Sequence, residues 1–192
     1  MTLAEPLAVT FAVIEVLDSL GVRYFLGGSF ASSAQGAARA TLDADLVADL
    51  RLEHVEPFIA ALRPAFYLDV DTVRSAVRTR ESFNLIHLQT MFKVDVFVSK
   101  GRPFDQAQFE RRQAIQLSVD PPRSAYLSSP EDTVLAKLAW YRLGGEVSDR
   151  QWRDVVSVLH VQSDRLDHVY LRTWAKTLAV SDLLARALEQ TA

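Results

Sequence analysis

Apolar positions near the start of the chain recur at helical spacing: Leu7, Phe11, Ile14 and Leu17, with Val13 and Leu20 beside them. Pro6 suits a first turn and Gly21 a stop, so a helix is predicted over 6–20. The pattern then changes. Residues 22–26 (VRYFL) are β-branched and aromatic, read as a central strand, and run directly into Gly27, Gly28 and Ser29. A short helix is predicted over 30–36 with Ser29 at or near its N-cap. The next segment alternates. Thr41, Asp43, Asp45, Val47 and Asp49 fall on one side of a strand, and Leu42, Ala44, Leu46, Ala48 and Leu50 on the other. One face is acidic and the other is core.

Downstream, a helix is predicted over 53–62 and ends at Pro64. A short strand follows over 66–70, and 71–79 reads as a helix or a loop with Arg74, Arg78 and Arg80 exposed. Residues 83–89 and 91–99 read as consecutive strands of a hairpin turning at Gln89 and Thr90. In the second strand Phe92, Val94, Val96 and Val98 form the core face, with Lys93, Asp95 and Phe97 opposite. A short helix (104–111) and a further strand (113–119) lead to Pro121-Pro122, the clearest boundary signal, and everything beyond it reads as helical. Ser129-Pro130-Glu131-Asp132 combines a cap, a first-turn proline and acids at the positive end of the dipole, and that helix stops at Gly144-Gly145. A second cap at Ser148 opens a helix with Trp152, Val155, Val156 and Leu159 inward, and two more helices near 166–179 and 181–190 close the chain. The expected architecture is α+β: a mixed-sheet core over 1–122 with flanking helices, followed by a helical bundle over 123–192.

Composition narrows the chemistry. The chain has no cysteine, which excludes disulfides, thiolate metal sites and thiol nucleophiles. His54, His87, His160 and His168 lack zinc-ligand spacing. A net charge of −3 supplies no global basic field for nucleic acid, although Arg74, Arg78, Arg80, Arg111, Arg112 and Arg123 are candidates for a local groove. No stretch approaches the ~18 apolar residues of a membrane span, and the N-terminus lacks a basic segment of the secretory kind. A cytoplasmic protein without membrane partners is expected.

The acidic strand is costly unless a cation is present. Carboxylates roughly 5–6 Å apart repel by about 3 kcal/mol at an effective dielectric near 20, and Asp is disfavoured in strands. A hard divalent ion such as Mg²⁺ converts that repulsion into attraction; a solvated acidic face is the alternative. Asp95, flanked by apolar residues on another strand, either pairs with Lys93 or an arginine, or converges with Asp43 and Asp45. Glycines at 27 and 28 allow close backbone approach to a polyphosphate, and Ser29 can hydrogen-bond a phosphate oxygen.

The order of strand, G-G-S, short helix, D-x-D strand and later a single-Asp strand resembles the nucleotidyltransferase superfamily of the DNA polymerase β type. The motifs are Leu26-Gly27-Gly28-Ser29, Asp43-Ala44-Asp45 and Val94-Asp95-Val96. The phrase from Arg39 to Leu46 (RATLDADL) resembles the AbiEii-type abortive-infection toxin branch. So does the tail, where Pro130-Glu131-Asp132 leads to Lys137-Leu138, Arg142 and Asp154. The resemblance implies two-metal transfer of a nucleoside monophosphate from a nucleoside triphosphate, ATP among them, to an acceptor hydroxyl on a tRNA-like RNA end, a protein or a small molecule. It implies Mg²⁺, or Mn²⁺ in its place, on Asp43, Asp45 and Asp95, and an antitoxin as a candidate partner. Gly27, Gly28, Ser29 and Lys137 are the implied nucleotide contacts. For Lys137 a snorkelling side chain stands equally open, and for Asp154 a local pair with Arg150, four residues earlier, unless it reaches Lys137. Arg39 is a candidate phosphate or RNA contact. A non-catalytic nucleotide- or partner-binding module on the same fold is the alternative of a different class, and a phosphohydrolase a third.

Overall fold

The computed structural model describes residues 5–37 and 43–191, which divide into two compact units. The first comprises the described residues up to Gly27 and those from Asp43 to Leu127; the second comprises Gly28–Ala37 and the described residues from Ser128 onward.

The first unit contains all the strands of a sheet: β1 (Tyr24–Leu26), β2 (Asp43–Ala48), β3 (Phe66–Tyr67), β4 (Ser82–His87), β5 (Lys93–Val98), β6 (Gln113–Val119) and β7 (Pro122–Leu127). Their order is β3-β4-β5-β2-β1-β7-β6. β2 runs antiparallel to β1 and parallel to β5, and β7 runs parallel to β1. Alternation decides the faces. In β2 the even residues Ala44, Leu46 and Ala48 are fully buried, as are Val94 and Val96 in β5. Helix α1 (Glu5–Ser19) packs on β2 and on α3 (Leu52–Leu62), contributing Phe11, Val13, Ile14 and Leu17 to the core.

Residues 70–79 are settled as helix α4 (Val70–Thr79) by a cap, since the Asp69 carboxylate accepts from the Thr72 N–H at 2.7 Å. Helix α5 (Pro103–Arg111) carries Phe109, which meets Phe25 of β1 edge to face at 5.2 Å.

β7 corrects the expectation that everything beyond Pro121-Pro122 is helical. Those prolines close a hairpin instead, with Val119 opposite Pro122, and a strand follows with Ala125 and Leu127 buried. Pro122 is tolerated because it occupies the first position of the strand.

The second unit contains α2 (Gly28–Ala34), α6 (Pro130–Leu143), α7 (Asp149–Gln162), α8 (His168–Thr177) and α9 (Ser181–Glu189). Helix α2 begins at Gly28, whose φ of 50° favours glycine, and Ser29 lies buried in its first turn, next to the N-terminal end. At Gly36 a Cβ would meet the Val161 side chain at 2.6 Å. The acids that open α6 do more than complement its dipole. Ser129 accepts from the Asp132 N–H at 3.1 Å and donates to its carboxylate at 2.7 Å, and Tyr170 of α8 donates to the other Asp132 oxygen at 2.7 Å. Glu131 accepts from the Asp167 N–H that precedes α8. No helix among the described residues is long and apolar enough to cross a membrane.

Because Ser129 is buried and serves as both cap and donor, Ser129→Ala is expected to lower stability by about 1–2 kcal/mol. Urea unfolding of the two proteins measures the difference.

Candidate active site

Three of the predicted site residues lie side by side. β2 and β5 pair in parallel and in register, so that Asp45 stands opposite Asp95 and Asp43 opposite Lys93. Adjacent strands lie ~4.8 Å apart. All four residues are on the side away from Ala44, Leu46, Val94 and Val96, and all four are partly buried. β4 adds Asn84 opposite Asp95, giving a row Asn84–Asp95–Asp45 across three strands. At the end of β1 the Gly27 N–H donates to the Asp45 carbonyl at 2.9 Å, extending the β1–β2 ladder by one residue.

The face changes character one step along. Val47 lies opposite both Phe97 and Phe25, so an apolar row borders the acidic one. The carboxylates therefore have protein on one flank and their own strands beneath, an environment that strengthens charge interactions relative to open water.

Lys93 answers the open question about Asp95. Its Nζ lies 2.7 Å from Asp95 Oδ2, while Asp95 also stands beside Asp45 in the strand register; the pairing with Lys93 is the contact the structure shows. The hydrogen bond to Asp95 raises the Lys93 pKa above the ordinary lysine value, with the charges of Asp95, Asp43 and Asp45 adding and burial opposing. All three carboxylates act on one ammonium.

By donor type the face suits a hard cation, since it offers carboxylate oxygens from neighbouring positions and already holds a positive group among them. Among the described residues, however, no three Asp, Glu or His side chains are gathered closely enough to enclose one ion as they stand.

The remaining candidates belong to the helical unit. Lys137 of α6 is buried and donates to Asp154 Oδ2 of α7 at 2.9 Å, with Ser32 of α2 reaching the same oxygen at 3.5 Å. Asp154, itself buried, thus pairs with a lysine seventeen residues earlier. Gly28 and Ser29 open α2. Arg39 lies outside the described residues. Of the arginines suggested for a groove, Arg74 bonds Glu56, Arg80 the Ser99 carbonyl, Arg112 the Phe109 carbonyl and Arg123 Glu15. Of the histidines, His54 accepts from the Arg51 N–H and His87 bonds Thr90. A surface cavity lined by Asp18, Arg23, Tyr24, Arg112 and Tyr126 includes one of these arginines and none of Gly27, Gly28, Ser29, Asp43, Asp45, Asp95 or Lys137.

No protein-family model and no curated protein matches the sequence. Solved structures do match. The antibiotic-resistance factor ANT(2″)-Ia superposes with a TM-score of 0.55 at 12% identity, covering 95% of this chain and 94% of that one. The fold is that of a nucleotidyltransferase. The lincomycin-bound lincosamide antibiotic adenylyltransferase LnuA gives a TM-score of 0.52 at 14% identity, over 79% of this chain and 95% of that one. An antigenic nucleotidyltransferase-like protein from Paracoccidioides brasiliensis gives 0.52 at 17% identity, over 94% and 91%. In this nucleotidyltransferase fold the acidic row lies on the strands β2 and β5 at the middle of the sheet.

Removing one member of the Lys137–Asp154 pair leaves a buried charge unopposed. Asp154→Ala is expected to lose about 3–5 kcal/mol of stability, and Lys137→Met combined with Asp154→Leu to recover most of it. Chemical denaturation of the wild type, the single variant and the double variant checks both statements.

Proposed function

We propose that the protein is a divalent-cation-dependent nucleotidyltransferase, moving a nucleoside monophosphate from a nucleoside triphosphate to an acceptor hydroxyl. The observation that carries the proposal is the in-register pairing of Asp45 with Asp95, with Asp43 on the same face. Asp is disfavoured on strands, and three carboxylates at neighbouring positions repel one another. An acidic row of this kind on a nucleotidyltransferase fold supports catalysis over a passive role.

In this reading Asp43, Asp45 and Asp95 hold Mg²⁺ or Mn²⁺. Held there, such ions would supply positive charge for the attacking hydroxyl oxygen and for the oxygen of the departing pyrophosphate in an in-line displacement. Asp95 accepts the proton of the acceptor hydroxyl, or orients that hydroxyl for attack. Gly27, Gly28 and Ser29 serve as triphosphate contacts through their backbone N–H groups and the Ser29 hydroxyl. Lys137 then has a positioning role through its pair with Asp154, which leaves its ammonium already engaged.

The acceptor is a hydroxyl on a small molecule, an RNA end or a protein. ANT(2″)-Ia was captured with adenylyl-2″-tobramycin and LnuA with lincomycin, so a small-molecule acceptor is the first class to test. A toxin-like role with an antitoxin partner rests on the RATLDADL phrase and the Lys137-to-Asp154 tail alone.

The test is incubation of the pure protein with each labelled nucleoside triphosphate, Mg²⁺, total RNA and a panel of hydroxyl-bearing small molecules. Asp43→Asn and Asp95→Asn are each expected to reduce transfer by at least ~10³-fold, on the scale of losing a principal electrostatic contribution to catalysis, while the folded circular-dichroism spectrum is kept. Undiminished transfer in either variant refutes the mechanism.

A further inference from the structure

We propose that Lys93 is a tethered counter-ion: its ammonium occupies the acidic face when no metal is bound and gives up Asp95 when a divalent cation arrives. This rests on the metal reading above and assigns a device to it. The geometry has three parts. The Lys93 Nζ is hydrogen-bonded to Asp95 Oδ2 at 2.7 Å. Lys93 also stands directly opposite Asp43 on the neighbouring strand, on the face that carries Asp45 and Asp95, and the charges of all three act on it. And among the described residues no three Asp, Glu or His side chains are gathered as a single ion would require.

Exposure makes the contact exchangeable. The Lys93 side chain is 43% exposed, so it can rotate into water on its flexible stem without stranding a buried charge. Lys137, at 11%, has no such freedom. A lysine charge is compact and strongly hydrated, and water replaces the carboxylate readily once another cation claims it.

Two consequences follow from the charge balance. Without metal, the ammonium offsets part of the repulsion among Asp43, Asp45 and Asp95 and lets β2 and β5 keep their register. With metal, the same ammonium competes for Asp95, and its electrostatic repulsion weakens cation binding. Neutralising Lys93 therefore moves two properties in opposite directions: the metal-free protein becomes less stable and the cation binds more tightly. A lysine with only a packing role would lower stability and leave affinity unchanged.

The experiment uses the full chain as wild type, Lys93→Met and Lys93→Arg, titrated with Mn²⁺ and followed by the electron paramagnetic resonance signal of free Mn²⁺. Thermal unfolding is measured in parallel in EDTA and in saturating Mn²⁺. Lys93→Met is expected to bind Mn²⁺ about tenfold more tightly, the scale of removing one unit charge close to the site in a well-screened setting. Its midpoint in EDTA falls by a few degrees, and the gap closes in Mn²⁺. Lys93→Arg keeps the charge and stays near the wild-type affinity. Equal or weaker Mn²⁺ binding in Lys93→Met overturns this inference and leaves the metal reading intact. Absence of Mn²⁺ binding in all three proteins overturns both. Should Lys93→Met fail to fold, Lys93→Gln, which keeps a polar end and loses the charge, undergoes the same titration with the same expected and overturning results.

Discussion

Three carboxylates stand together on one face of this sheet because the opposite face is packed shut. β2 and β5 repeat with a period of two, and slipping their register by one residue would turn Leu46, Val94 and Val96 to the outside and the aspartates into the core. Each fully buried aliphatic side chain contributes about 1.5–3 kcal/mol. Three of them together exceed the roughly 3 kcal/mol by which a neighbouring carboxylate pair repels. The hydrophobic face wins, and the acidic face has its arrangement imposed on it. The positions of the three carboxylates on the sheet are therefore set by the core rather than by their own interactions.

How much of this was legible in the sequence depended on the range of the interaction. Asp43 and Asp45 share a face by local periodicity alone, and Asp95 opposes its own strand's valines, so both facts could be read without a structure. The fold class was readable for the same reason, and solved nucleotidyltransferase structures match it at 12–17% identity. The register that sets Asp45 beside Asp95 was not readable, because nothing in either strand names its partner. Asp154 shows the same boundary. The sequence left open both Arg150, one helical turn away, and Lys137, and it is Lys137 on the neighbouring helix that it bonds. β7 was missed because Pro121-Pro122 is the strongest break signal in the chain and obscures the short alternation that follows, with Ala125 and Leu127 inward. For α4 the polar composition left helix and loop equal, and a single cap at Asp69 decided it.

Two lysines, each bonded to an aspartate, carry different meanings. The Lys137–Asp154 side chains are 11% and 7% exposed, and either partner alone would be a buried charge. That pair is fixed architecture. The Lys93–Asp95 side chains are 43% and 19% exposed, and contacts of that kind are weak and exchange with water. Distance does not separate them, at 2.9 and 2.7 Å. Burial does.

That distinction bears on what a fold likeness can say about activity. Superposition on adenylyltransferases establishes a scaffold, and scaffolds are shared by proteins that do unrelated things. What argues for chemistry is a local arrangement that the scaffold does not need for its own stability. The sheet would hold at least as well with threonine or valine at positions 43, 45 and 95, since β-branched residues favour strands and Asp opposes them. Lys93 offsets part of that repulsion through its bond to Asp95. A strand pair that keeps three carboxylates at neighbouring positions beside an apolar row carries charge that the scaffold itself does not require.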